Sequence, residues 1–234
     1  KQHTGNDTTH VNLLNDIADK YYRIDLDKTL YYAKQADSLS EMIGYKKGNA
    51  RSLHLFGIYY HVKGNYSTAL EYYRKSLHIN KEIDFKKGIA LSYSSIGSIN
   101  ERLGNYEKAF EYYQKNLIIR QQIGDKSGMA DCYISIGIYF LRIADYNKAL
   151  SYFQKSLKLF EELGNIDRIA MCNNNIGVIC FNQGNYPKAL DVYHQALNHY
   201  EESGDVSGIA KSYINIGVIY SLQKEYAKAL DYYQ

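Results

Sequence analysis

The sequence predicts an all-α protein, a right-handed solenoid of about six helix-turn-helix pairs. Three observations predict it. Small and aromatic residues recur in columns forty positions apart, each period carries two apolar stripes at helical spacing, and Pro occurs once in 234 residues. Pro removes a helix hydrogen bond and clashes inside the turn, so its scarcity fits long, uninterrupted helices. Hydrophobic residues make up 45% and charged residues 23% of the chain. That balance supports a buried core and excludes a compositionally disordered chain.

The columns are Ala50, Ala90, Ala130, Ala170 and Ala210; Gly57, Gly97, Gly137, Gly177 and Gly217; Tyr66, Tyr106, Tyr146, Tyr186 and Tyr226; and Ala69, Ala109, Ala149, Ala189 and Ala229. A fifth column is aromatic: Tyr73, Tyr113, Phe153, Tyr193 and Tyr233. A fixed period of this size marks an array of stacked structural units. Within one unit, Ala90, Tyr93, Ile96, Gly97 and Asn100 share a helical face, and Tyr106, Ala109, Phe110, Tyr113, Leu117 and Ile123 form a second stripe. Gly in mid-helix costs about 1 kcal/mol against Ala, so close approach of the second helix is expected at the Gly97 column.

The elements follow in order. Residues 1–9 are polar and aperiodic and read as a leader. Residues 10–44 read as a degenerate helical pair, with Thr29 and Ala33 in the small and aromatic slots. Full repeats are expected at 45–84, 85–124, 125–164 and 165–204, and a truncated one at 205–234. Gly64-Asn65, Gly104-Asn105 and Gly184-Asn185 separate the two helices of a repeat, and both residues of each pair suit left-handed backbone. Gly44, Gly124, Gly164 and Gly204 close the second helix, with Asp84 as a tolerated left-handed substitute. Pro187 falls at the start of a helix, where it costs little. Lys1 is not an initiator Met and Gln234 lies inside a helical pattern, so a longer parent protein is expected.

Chemistry is sparse. A net charge of +3, from 28 basic and 25 acidic residues, is too balanced for an electrostatic nucleic-acid binder. No apolar run approaches the ~20 residues of a membrane span. Nucleophile elbow, phosphate loop, dinucleotide fingerprint and zinc-protease patterns are all missing, so neither an enzyme nor a cofactor is expected. His54 and His61 share a face too far apart for one metal without a third ligand, and read as solvated or groove-lining residues. Glu71–Lys75 and Glu111–Lys115 are spaced for helix-surface ion pairs. Cys132, Cys172 and Cys180 read as buried small apolar residues, since two helical turns separate the last two.

The small residue in mid-helix (the Gly97 column), the Ala109 column and the Tyr113 column resemble the tetratricopeptide repeat over about residues 45–234. The family's Trp slot is held here by Leu53, Tyr93, Tyr133, Asn173 and Tyr213, and its closing Pro is missing. This fits a repeat longer than the common ~34 residues. Forty-residue versions are similar to those of bacterial peptide-responsive regulators, of spindle-orientation scaffolds and of the sensor segments of bacterial histidine kinases. The stretches Asp7–Asp16 and Asp25–Leu30 resemble the last group most. The resemblance implies a non-catalytic module that binds a protein or peptide, as the sensory or regulatory segment of a larger bacterial signalling protein. A free-standing interaction or self-association scaffold is the alternative. It also implies an exported, periplasmic segment of a membrane-anchored protein, whereas the unpaired thiols lean toward the cytoplasm.

The concave face of such an array is lined by the first helix of each pair. Its second stripe varies between repeats: Arg51, His54, Ile58 and His61; Leu91, Ser94, Ser98 and Glu101; Asp131, Ile134, Ile138 and Leu141; Met171, Asn174, Val178 and Phe181; Lys211, Ile214, Val218 and Ser221. Residues outside the repeated pattern are free to carry specificity. The apolar members read as an exposed groove for a peptide or helix, or as a surface filled by a missing C-terminal segment or a second copy. By resemblance, Asn175 and Asn215 would bond the backbone or terminal carboxylate of a guest. Met171 replaces a Lys of the family's carboxylate clamp, leaving Arg102 and Arg142 as alternative anchors.

Overall fold

A computed structural model describes residues 4–234. Among the described residues there are twelve α-helices and no strand. They form six pairs: α1 (Thr4–Tyr21) with α2 (Leu26–Ile43), α3 (Lys46–Val62) with α4 (Tyr66–Glu82), α5 (Lys86–Arg102) with α6 (Tyr106–Gln122), α7 (Lys126–Arg142) with α8 (Tyr146–Leu163), α9 (Ile166–Asn182) with α10 (Tyr186–Ser203), and α11 (Val206–Leu222) with α12 (Tyr226–Tyr233). The chain divides into two compact units, the first ending at Gly124 and the second beginning at Asp125. Within each unit every helix packs on its partner and on the next helix in sequence. The first helices of successive pairs also touch, α1 on α3, α3 on α5 and α9 on α11. This is the all-α helical-repeat solenoid class that the periodicity predicts.

The repeated columns are the core. Ala69, Ala149 and Ala189 have no exposed surface, and Ala109 has 2%. Tyr73, Tyr113, Phe153 and Tyr193 are buried beneath the first helix of their own pair. Each packs closely against the mid-helix Gly: a Cβ on Gly97 would fall 2.6 Å from Tyr113 Cε1, and on Gly137 2.8 Å from Phe153 Cε1. No side chain fits there, which is why Gly stands in a helix interior. A second Gly column, Gly48, Gly88 and Gly208, serves the joint between repeats. There a Cβ would collide with Val11, Asn80 or Tyr200 of the preceding pairs. Buried hydroxyls add cross-helix bonds, Ser76 Oγ donating to Ala50 O at 2.7 Å and Ser156 Oγ to Ala130 O at 2.9 Å. The three cysteines are buried, as expected, and none forms a disulfide among the described residues.

The turns follow one pattern with three departures from expectation. Gly64, Gly104 and Gly184 are left-handed, but Asn65, Asn105 and Asn185 are not, with φ near −84°. They occupy the N-cap, where Asn65 and Asn185 accept from the backbone N–H three residues on. The residue after such a left-handed position donates five residues back, as Phe85 N–H does to Asn80 O and Asn105 N–H to Asn100 O, which closes the helix end. Asp84 is left-handed (φ 50°) as expected, and Ala144 (φ 58°) and Lys224 (φ 63°) take the same conformation in the slot that is Gly elsewhere. Residues 1–3 lie outside the described residues. The remainder of the expected leader, Thr4–Thr9, is the first turns of α1, with Asp7 placed to favour a helix N-terminus. The pairs Glu71–Lys75 and Glu111–Lys115 are not among the ion pairs of the described residues. Lys75 and Lys115 lie over the rings of Tyr72 and Tyr112 instead, at 5.3 and 5.1 Å.

Two stability measurements check this account. Ala109→Leu overfills the joint between α5 and α6 and should destabilise the protein by roughly 1–3 kcal/mol in urea titration. Ala144→Gly relieves left-handed strain of ~1–2 kcal/mol, partly offset by the freer unfolded chain, so its melting temperature should rise by the equivalent of about 0.5–1 kcal/mol.

Candidate partner-binding site

The variable stripe does not stand exposed as a continuous apolar strip. In the first unit His54 is only 6% exposed, with its ring 4.9 Å from that of Tyr73. It is a buried groove-lining residue and not a solvated one. Ile58 is half-buried and packs into the core between α3, α4 and α5. His61, Ser94 and Ser98 are half-buried and Arg102 is exposed. In the second unit Ile134 is buried (5% exposed), so it is core and not groove. Ile138, Leu141, Asn174, Asn175, Val178, Phe181, Asn215 and Val218 are half-buried, and Lys211, Arg142 and Ile214 are exposed.

Each unit nevertheless holds a cavity on the stripe. In the first unit a cavity of about 470 Å³ opens between α1, α3 and α5, lined by Asn12, Asp16, Lys47, Ala50, Arg51, His54, Phe85, Lys87 and Leu91, with Ser76, Asn80 and Gly88 completing it. Arg51 is tied to Asp16 at 2.6 Å and to Asp19 at 3.6 Å. Burial, helped by the Arg51 charge, pushes the His54 imidazole down from 6.5 to about 4, so the ring is neutral at pH 7.

In the second unit a cavity of about 590 Å³ gathers four expected residues: Ile138, Asn174, Asn175 and Lys211. Asp167, Arg168, Met171, Tyr200 and Asp205 join them. Asn215 Nδ2 donates to Asn174 Oδ1 at 2.9 Å, tying α11 to α9, and Asn175 Nδ2 donates to Met171 O at 3.0 Å. Arg168 reaches Asp131 at 3.4 Å. Sequence reasoning missed Arg168, although a signal was available: it breaks the column Gly48, Gly88, Gly128 and Gly208. The cavity residues at the start of each first helix, Lys47, Lys87 and Asp167, were missed because they precede the stripe.

Among the described residues no group of three His, Cys, Asp or Glu could hold a metal ion, and no helix is long and apolar enough to cross a membrane. Burial raises the Cys172 thiol to about 11, which leaves it protonated and unreactive at neutral pH.

The buried His54 makes stability depend on pH. Between pH 6.5 and 4 the unfolded chain takes up a proton that the folded ring refuses, so its contribution is lost as pH falls through that window. Urea titrations at pH 7 and about pH 4.5 should show His54→Gln losing less stability than wild type, by about 2 kcal/mol. Equal pH dependence of the two proteins would contradict the burial of a neutral ring.

No curated protein matches the chain in sequence. Solved structures share its fold at low identity. BtubC from P. vanneervenii is 19% identical with a TM-score of 0.75, over 89% of this chain and 88% of that one. The apo form of RapI is 19% identical with a TM-score of 0.75, over 96% of this chain and 81% of that one. A signal transduction ATPase with numerous domains and a tetratricopeptide repeat sensor, from Pyrococcus horikoshii, is 22% identical with a TM-score of 0.77, over 97% of this chain but only 36% of its own. Family models described as tetratricopeptide repeat match residues 88–162 and 168–234, and residues 49–83. The chain therefore belongs to the tetratricopeptide repeat family, a family of protein-interaction scaffolds.

Proposed function

We propose that the chain is the peptide-binding segment of a larger bacterial signalling protein, and that the second unit's cavity receives an extended stretch of a partner. The amide arrangement carries this reading. Asn175 gives a donor to Met171 O, which leaves its carbonyl oxygen as an acceptor, and Asn174 accepts from Asn215, which leaves its own amide protons as donors. An acceptor and a donor lining one cavity suit the N–H and C=O of a peptide unit. Ile138 and Met171 offer apolar contact beside them, and Arg168 and Lys211 offer cations to carboxylates of the guest. Arg102 and Arg142, exposed at helix ends, lie outside both cavities and are not required.

The signalling role rests on likeness. The opening segment resembles kinase sensor segments, and a signal transduction ATPase of the same fold carries a tetratricopeptide repeat sensor. A guest that favours one arrangement of the array biases whatever is attached to it. We take the repeats as 45–84, 85–124, 125–164, 165–204 and the partial 205–234, preceded by the pair at 10–44.

Selection from a displayed library of random peptides tests the site. Peptides selected on the wild-type protein should bind the Asn174→Ala, Asn175→Ala double variant at least about tenfold more weakly, or about 1.4 kcal/mol. Unchanged affinity in a variant with a normal melting curve would remove the amides from the function.

A further inference from the structure

The two cavities lie at one register of the repeat. Lys47, Arg51, His54, Phe85 and Leu91 line the first, and Asp167, Met171, Asn174, Asp205 and Lys211, three repeat lengths further on, line the second. The backbone frame is shared while the chemistry differs. Two carboxylates of the second cavity are replaced in the first by a cation and a ring, and Lys87 adds a further cation. The only carboxylate lining the first cavity, Asp16, is already held by Arg51. Lys47 lies over the Phe85 ring at 4.4 Å, and no carboxylate pairs with Lys87 among the described residues. His54, more than nine-tenths buried, lines the same cavity, and its Nδ1 has no hydrogen-bond partner. Buried polar atoms in folded proteins nearly always have one. At about 470 Å³ the space is that of a small-molecule site.

From these features we infer that the first unit's cavity binds a small organic carboxylate with an apolar body. The body lies against Phe85, Ala50 and the 44%-exposed Leu91, and the carboxylate meets the ammonium groups of Lys47 and Lys87. The neutral His54 ring forms part of the wall beside the apolar body, so a bound guest changes its surroundings. The inference does not rest on peptide capture in the second unit.

Hexanoate, octanoate and 3-phenylpropionate, each beside its primary amide, are titrated into the whole chain by calorimetry, with the histidine ring resonances followed by NMR. At least one carboxylate should bind saturably in the millimolar range or tighter, with its amide about tenfold weaker and the His54 signals displaced. Lys87→Glu, a surface change that leaves the melting curve intact, should weaken binding about tenfold, and the Asn174→Ala, Asn175→Ala variant should leave it unchanged. The inference is overturned by no saturable binding of any of the three, by equal binding of amide and acid, by undisplaced His54 signals, or by a Lys87→Glu variant that retains its affinity. Binding only of a peptide with a free C-terminus would also overturn it.

Discussion

The structure depends on one contact repeated along the chain: an aromatic ring on the second helix of a pair packed closely against the backbone of the first. Tyr73, Tyr113, Phe153, Tyr193 and Tyr233 each make it, against Gly57, Gly97, Gly137, Gly177 and Gly217. The contact requires Gly, because a methyl group there would sit inside the ring's van der Waals surface. Gly weakens an isolated helix by about 1 kcal/mol, and burial of an aromatic side chain outweighs that. The same logic operates a second time between repeats, where Gly48, Gly88 and Gly208 admit the end of the preceding pair. Two Gly columns thus set the spacing within and between helix pairs.

That economy explains what was legible. Close contacts tolerate one residue type, so they recur without variation and can be read from a single chain. The fold and the pairing follow from such columns. What escaped had looser physical demands. Asn65 and Asn105 suit either a left-handed turn or an N-cap, and only the backbone shows which they adopt. Ala144 and Lys224 hold a conformation that composition does not announce. The first turns of α1 were invisible because Thr4–Thr9 carry no apolar period, and helix there continues from the buried Val11 and Leu14 that anchor the rest of α1.

The site was legible in outline only. Variation between repeats located the face, and four of its residues, Ile138, Asn174, Asn175 and Lys211, do meet around one cavity. Variation cannot tell recognition from accommodation. Ile134 and His54 vary because each fills a differently shaped gap, and both are buried. Ile58 varies within the core. The better signal lay in departures from an otherwise constant column. Arg168, standing where four repeats have Gly, lines the second unit's cavity and pairs with Asp131. A residue that breaks a packing rule has a cost to offset, and such positions are where function is most economically sought.

The cavities add a further consequence of repetition. Their lining positions coincide in register, yet Lys47 and Asp167, or Leu91 and Lys211, differ in charge or polarity. These side chains stand at the mouth of each cavity, clear of the Gly–ring contacts. Exchanges at such surface positions typically change stability by no more than about 0.5 kcal/mol. A charge facing a bound ion of opposite sign is worth about 1.5–3 kcal/mol when hydrogen-bonded. Recognition can therefore change by an order of magnitude or more at positions that barely alter folding. An array held together by invariant small residues is free to place different chemistry at equivalent sites, so one chain can present an anion-seeking cavity and an amide-lined one without altering the contact that builds both.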